Sequence, residues 1–285
     1  MAQGPLVPLR PLGLGEVLDG AVEAVRRNPR TALGFGAALM AVQQAVAVPV
    51  QYLVQDVALT ASDSSDPVAI LTGLLALGVS SAAVLAVGTV LSVVLGGAMA
   101  VVVGEAVLGR RPGPAEVWVR VRRRLFALLG LGAGVTVALG VGLLGLGLGA
   151  VFVFVVVAVT APVLMLEDAG VVAAFRRSWR LTIRDFWRVL GIRALAYLVS
   201  TMLTVVLALP FTIGAVVLGG GPFASGATPL SASALAALGA LVAGAVAGPF
   251  GGAVDALLYL DRRMRAEGLD IDLGQRARAG AGAPA

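Results

Sequence analysis

The residues able to do acid–base or phosphate chemistry in this chain are few in kind. There are 21 arginines and 16 carboxylates, and no histidine, cysteine or lysine. Without histidine there is no Ser-His-Asp chemistry, no histidine metal site and no histidine pH switch. Without cysteine there are no disulfides, thiolate ligands or thiol nucleophiles. No cofactor is called for. What is left is arginine, whose planar fork matches phosphate in a bidentate way. Its densest run is RRSWRLTIRDFWRVL, residues 176–190.

Within that run the spacing is helical. Val172, Phe175, Trp179, Ile183, Phe186 and Leu190 recur at intervals of 3, 4, 4, 3 and 4, one apolar stripe. Arg177, Arg180, Arg184 and Arg188 form a second stripe, with Arg176 beside it and Trp187 flanking the first. A basic amphipathic helix carrying tryptophans suits a headgroup region, with rings at the acyl boundary and guanidinium groups on phosphates. Each arginine near an anionic surface contributes about 1 kcal/mol. Two readings stay open: a topogenic anchor, or a specific headgroup or substrate phosphate site. Arg122, Arg123, Arg262 and Arg263 are the other arginines suited to such a face. A nucleic-acid patch is disfavoured, because the apolar stripe must be buried and no nucleic-acid module accompanies it. Asp185, just before Phe186, is placed to cap a new helix, so the stripe can be two helices joined by a bend.

Two carboxylates, Glu105 and Asp255, fall near the ends of apolar runs. Asp255 precedes Asp261 by about 9 Å at helical rise. Both are expected to pair with loop arginines, since buried charges pair. A proton or substrate site is the weaker alternative. No isolated charge falls in mid-membrane, which counts against an ion-coupled pump.

The elements that must hold these residues follow from composition. The chain is 59% hydrophobic and 13% charged over 285 residues, against about 25% charged in a soluble domain. Residues 31–55, 67–104, 125–166 and 194–254 are free of charge. A helix crosses a ~30 Å hydrocarbon core in roughly 20 residues. The third run would be about 63 Å as one helix, so it reads as two helices turning near GLGLGA, 145–150. GGGPFASGATPLS, 219–231, divides the fourth. The second holds either one long tilted span or a span plus an interfacial piece.

All 21 arginines fall in 1–30, 105–124, 167–193 and the tail after 260, while 56–66 carries only Asp56, Asp63 and Asp66. Arginine-rich short loops face the cytoplasm. The expectation is an all-α bundle of six transmembrane helices, near 31–55, 70–106, 125–145, 148–166, 190–218 and 231–260, with both termini cytoplasmic. The segment 1–30 is no signal peptide. Leu14, Val17, Leu18, Ala21, Val22 and Val25 predict an interfacial amphipathic helix ended by Asn28-Pro29. A cytoplasmic tail fills 261–285: Glu267-Gly268 stops the helix, Leu269, Ile271 and Leu273 alternate as a short strand-like piece, and the end is disordered. Gly130/Gly134, Gly145/Gly149 and Gly244/Gly248 suit tight helix packing. Pro49, Pro162, Pro210 and Pro249 can break spans. Arginine in place of every lysine points to a GC-rich, actinobacterial-like genome.

Three stretches taken together, LRPLGLGEVLDGAVEAVRRNP (9–29), APVLMLEDAGVVAAFRRSWRLTIRDFWRVLGI (161–192) and LLYLDRRMRAEGLDIDL (257–273), resemble the glycerophosphoryl diester phosphodiesterase membrane domain family of multi-spanning bacterial proteins. The resemblance implies the membrane unit, with 14–19, 176–187 and 259–270 as its cytoplasmic-face motifs. The soluble barrel that accompanies that unit elsewhere uses histidines, carboxylates and a metal. This chain has neither the histidines nor the length, so the activity does not carry over. The pairing hints at lipid handling.

Two functions follow as expectations for a plasma-membrane protein without catalysis. The first is membrane organisation, or binding of a partner, a second copy or anionic inner-leaflet phospholipid, at the basic face. The second is transport or flipping of a lipid or small phosphodiester, which requires a polar cavity between helices. A headgroup site requires Arg176, Arg177 or Arg180 to meet arginines of 120–124 or 262–265.

Overall fold

The computed structural model describes residues 12–62, 64–144, 147–221 and 228–267. Among these residues the chain is an all-α bundle. Its helices are α1 (Leu14–Arg27), α2 (Pro29–Ser62), α3 (Pro67–Val107), α4 (Pro114–Arg123), α5 (Leu125–Leu144), α6 (Leu148–Val156), α7 (Thr160–Leu166), α8 (Val171–Thr182), α9 (Phe186–Leu218) and α10 (Leu230–Glu267), with a 3-10 turn at Ile183–Asp185 before α9. Six stretches are long and apolar enough to cross a membrane: α2, α3, α5, α6 with α7, α8 with α9, and α10. The second charge-free run is one continuous helix of 41 residues. The strand-like piece at 269–273, the tail end and Gly145 lie outside the described residues.

Local chemistry sets the boundaries. Asn28 ends α1, and its side-chain amide donates to Ala24 O at 3.3 Å. Pro29 follows as the first residue of α2, where a missing N–H costs nothing. Asp66 caps α3 by accepting from Val68 N at 3.0 Å, again with proline at the first position. The turn between α5 and α6 needs Gly147, whose φ is +80°. Helices α2, α9 and α10 run through Pro49, Pro210 and Pro249. The span containing Pro162 is broken at 157–159. Proline at 162 lacks the N–H that would serve Ala158 O, and its ring crowds that carbonyl.

The core lies toward the arginine-rich end. There α3 packs on α2, α5, α7 and α10, and every residue from Val94 to Val103 is buried. Leu128, Leu164, Ile192, Leu257 and Tyr259 are fully buried around it. Toward the other end α2, α3 and α9 expose Leu53, Leu71, Leu75, Val206 and Leu209, a girdle suited to acyl chains. The small residues serve internal packing: Gly134 faces Phe175, and Gly244 and Gly248 face Met40 and Leu95.

The two amphipathic helices are not alike. In α1 the stripe turns inward: Val17 and Ala21 are buried, and Leu18 and Val25 pack against the core, with α10 the main neighbour. Protein covers this inner side, while Leu14 and Val22 of the same stripe stay exposed. Helix α8 buries its small side, Ala174, Ser178, Leu181 and Thr182. Of the larger stripe, Val172 and Trp179 are exposed. Asp185 sits at the start of α9 but makes no capping bond. Its carboxylate is taken by Arg262, which donates from Nη1.

Candidate functional site

Most arginines of the basic end hold the bundle together. The hub is Asp261 on α10, which is 0% exposed. It accepts from Leu12 N at 2.9 Å and Arg265 Nε at 2.9 Å, and lies 3.6 Å from Arg188 Nη2. Arg262, only 2% exposed, reaches it at 3.4 Å. Arg188 and Arg265 also donate to Leu12 O, at 2.6 and 3.1 Å. A carboxylate out of water persists only with such partners. This lock ties the lead-in of α1 and the start of α9 to the end of α10.

A second hub is Glu167, at the end of α7. It takes Arg177 Nε at 3.2 Å and the Tyr259 hydroxyl at 2.9 Å. Arg263 Nη1 donates to that hydroxyl at 3.1 Å. Arg177 and Arg263 are thus brought together, as a headgroup site requires, but around a protein carboxylate. Glu105 pairs with the loop arginines Arg120 at 2.6 Å and Arg110 at 3.6 Å. Its hydrogen bond holds the Arg120 guanidinium above its ordinary pKa.

Arg122, Arg123, Arg176, Arg180 and Arg184 are exposed, and make no ion pair among the described residues. The last three follow one another every fourth residue. Trp187 beside them is 81% exposed. Trp179 lies edge-on to Phe152 at 5.3 Å, and Phe152 stacks on Phe186 at 5.8 Å. This aromatic ladder fastens α8 to α6 and α9 while Arg176, Arg180 and Arg184 stay exposed.

The most unusual chemistry is deeper. Arg193, counted in the sequence with the loop arginines, sits within α9. It grips Asp255 on α10 through two contacts of 2.9 Å. Its guanidinium carbon lies 4.2 Å from the Phe154 ring centre. The break in the fourth span explains why it is there. Ala158 N turns back to Val155 O at 3.2 Å, and Thr160 N to Val157 O at 3.1 Å. Phe154 O and Val156 O therefore lose their helical partners. Arg193 Nη1 donates to the first and Ser178 Oγ to the second. With no water in a bilayer core, such carbonyls must be satisfied by protein. A cation at the C-terminal end of α6 also interacts favourably with the helix dipole.

Beside the pair is a cavity of about 530 Å³, within the range of small-molecule sites. Gln43, Thr89, Ser92, Thr160, Arg193 and Asp255 are its polar lining, set in aliphatic walls. Leu85 and Tyr197 at its edge are exposed, so it opens sideways onto the surface that faces lipid.

Sequence reasoning singled out Asp255 but missed Arg193 as its partner, along with Asp261, Glu167, Tyr259 and Gln43 as organising groups. Tyr259 and Arg263, four apart beside Asp261, were the available signal. Comparison with family models, with curated proteins and with solved structures finds no match.

Proposed function

We propose that this is a transporter or flippase for a lipid or comparably amphiphilic molecule, without catalysis of its own, in a bacterial plasma membrane with both termini cytoplasmic. One observation carries the reading: a mainly apolar cavity floored by a bidentate ion pair lies beside a broken span and opens toward lipid. Discontinuous helices around a midplane polar site are how carriers combine a ligand site with satisfied backbone. The resemblance of the three motifs to a membrane unit that accompanies a glycerophosphodiester enzyme supports the lipid side of the reading. The arginine asymmetry supports the orientation.

The test is reconstitution of the full chain into vesicles carrying headgroup-labelled lipids of anionic, zwitterionic and sugar type. A membrane-impermeant quencher then reads movement between leaflets. Protein-dependent movement of at least one lipid is expected. Rates equal to protein-free vesicles for all of them contradict the reading.

A second reading, an organising protein whose basic face engages anionic phospholipid, is favoured by the outward arginines and Trp187 on α8 and α9. The two are compatible, since the same face would orient a carrier.

A further inference from the structure

Resting on the carrier reading, the next question is what kind of headgroup the path accepts. A second cavity, of about 690 Å³, lies toward the arginine-poor end between α2, α9 and α10. Gln44, Gln51, Tyr52, Gln55, Thr228 and Ser233 give it its polar lining. Gln44, Gln51 and Gln55 are spaced 7 and 4, so they share one face of α2. Among the described residues, no charged one lines it. Val84 on α3 borders both cavities. Gln43 Nε2 donates to Val84 O at 3.1 Å, bridging α2 and α3 where they meet.

The first cavity is also neutral in sum, because Arg193 and Asp255 cancel. A ligand of net charge there would leave one charge uncompensated in a low dielectric, which disfavours it. Its serine and threonine hydroxyls are already spent as donors: Thr89 to Leu85 O at 2.9 Å, Ser92 to Gly88 O at 2.8 Å and Thr160 to Val157 O at 2.7 Å. They and the Asp255 carboxylate offer lone pairs. Amides on the other side offer both donors and acceptors.

We propose that the two cavities are successive sites, meeting at Val84, for an uncharged amphiphile whose headgroup carries several hydroxyls, a sugar or polyol on an acyl tail. Hydroxyl donors meet the spent oxygens of the first site and exchange bonds with the glutamines of the second. The aliphatic walls and sideways opening take the tail.

The test uses the full chain in detergent and three probes of equal chain length: an alkyl glycoside, an alkyl phosphate and an alkyltrimethylammonium. Each competes with a tritiated monohexosyl diacylglycerol. The glycoside is expected to displace it at least tenfold better than either charged probe. Thr89→Val with Ser92→Ala, and separately Gln51→Leu with Gln55→Leu, are each expected to weaken glycolipid binding tenfold or more. Melting temperatures close to wild type exclude misfolding, and the wild-type competition series needs no variant. Preference for the phosphate or the ammonium overturns the proposal, as does absence of glycolipid binding. Glycolipid binding without movement between leaflets supports this inference while removing the carrier reading. Movement of an anionic lipid alone keeps the carrier and removes this inference.

Discussion

Arg193 and Asp255 meet as a fork: Nε to Oδ1 and Nη2 to Oδ2, both at 2.9 Å, joining α9 to α10. The same arginine closes the carbonyl left open at Phe154 by the break in the fourth span. It is a structural tie and the polar floor of the cavity at once. Removing either partner leaves the other charge alone; the pair is part-buried, so the cost is expected to fall below the about 3–5 kcal/mol of a fully buried pair. Asp255→Leu and Arg193→Met are therefore each expected to lower the melting temperature strongly. The double variant is expected to recover most of the loss, short of one hydrogen bond to Phe154 O, about 1–3 kcal/mol. Thermal unfolding of the four proteins in detergent checks this. Equal losses in single and double variants would refute the pairing.

Asp261 makes a separate prediction about the chain's beginning. It receives Leu12 N across 249 residues. Asp261→Asn leaves Arg262 with Asp185 as its remaining carboxylate and weakens the Leu12 and Arg265 contacts, at about 1–3 kcal/mol. Amide exchange across 14–27 is expected to rise well above that of α5. Unchanged exchange in α1 would mean its apolar face alone holds it.

Two nearby glycines on α2 should behave oppositely. A Cβ at Gly36 would stand 2.6 Å from Ala245 O and 3.0 Å from its Cα, both backbone of α10. Gly36→Ala is expected to cost about 1–3 kcal/mol through overpacking. Gly34 has nothing within 4 Å of a Cβ, so Gly34→Ala is expected to be neutral or to gain up to about 1 kcal/mol of helix propensity. Melting temperatures of the two variants decide whether α2 and α10 approach as described.

The outward arginines give a prediction for the membrane surface. Arg176→Gln, Arg180→Gln and Arg184→Gln together remove about 1 kcal/mol each of attraction to anionic lipid. Native mass spectrometry is expected to show fewer retained anionic lipids, with the melting temperature unchanged because none of the three makes an ion pair among the described residues. A large drop in melting temperature would assign them a structural role.

What could be read beforehand was local. Charge-free runs marked six crossings, Asn28-Pro29 marked the end of α1, and the glycines near 145–150 marked a turn. Pairings over long separations left no local trace: Arg193 finds Asp255 across 62 residues and Asp261 finds Leu12 across 249. Arg193 also follows Arg188 so closely that charge grouping swept it into the loop. The stripe through Val172 and Trp179 was visible, but not which side is covered. The bundle takes the small side, Ala174 and Ser178, because α8 must come close enough for Ser178 to reach Val156 O. Pro162 was one of four candidate breaks, and nothing local distinguished it from Pro49, Pro210 and Pro249.

The central claim is passage of an amphiphile along α3 past Val84. The direct measurement is headgroup accessibility in vesicles for wild type and Val84→Trp, with a labelled monohexosyl lipid. Wild type is expected to move the lipid between leaflets faster than protein-free vesicles. Val84→Trp, which fills the meeting point of the two cavities, is expected to cut that rate at least tenfold while retaining the wild-type melting temperature. Equal rates in wild type and Val84→Trp, or no movement in wild type, would contradict the account.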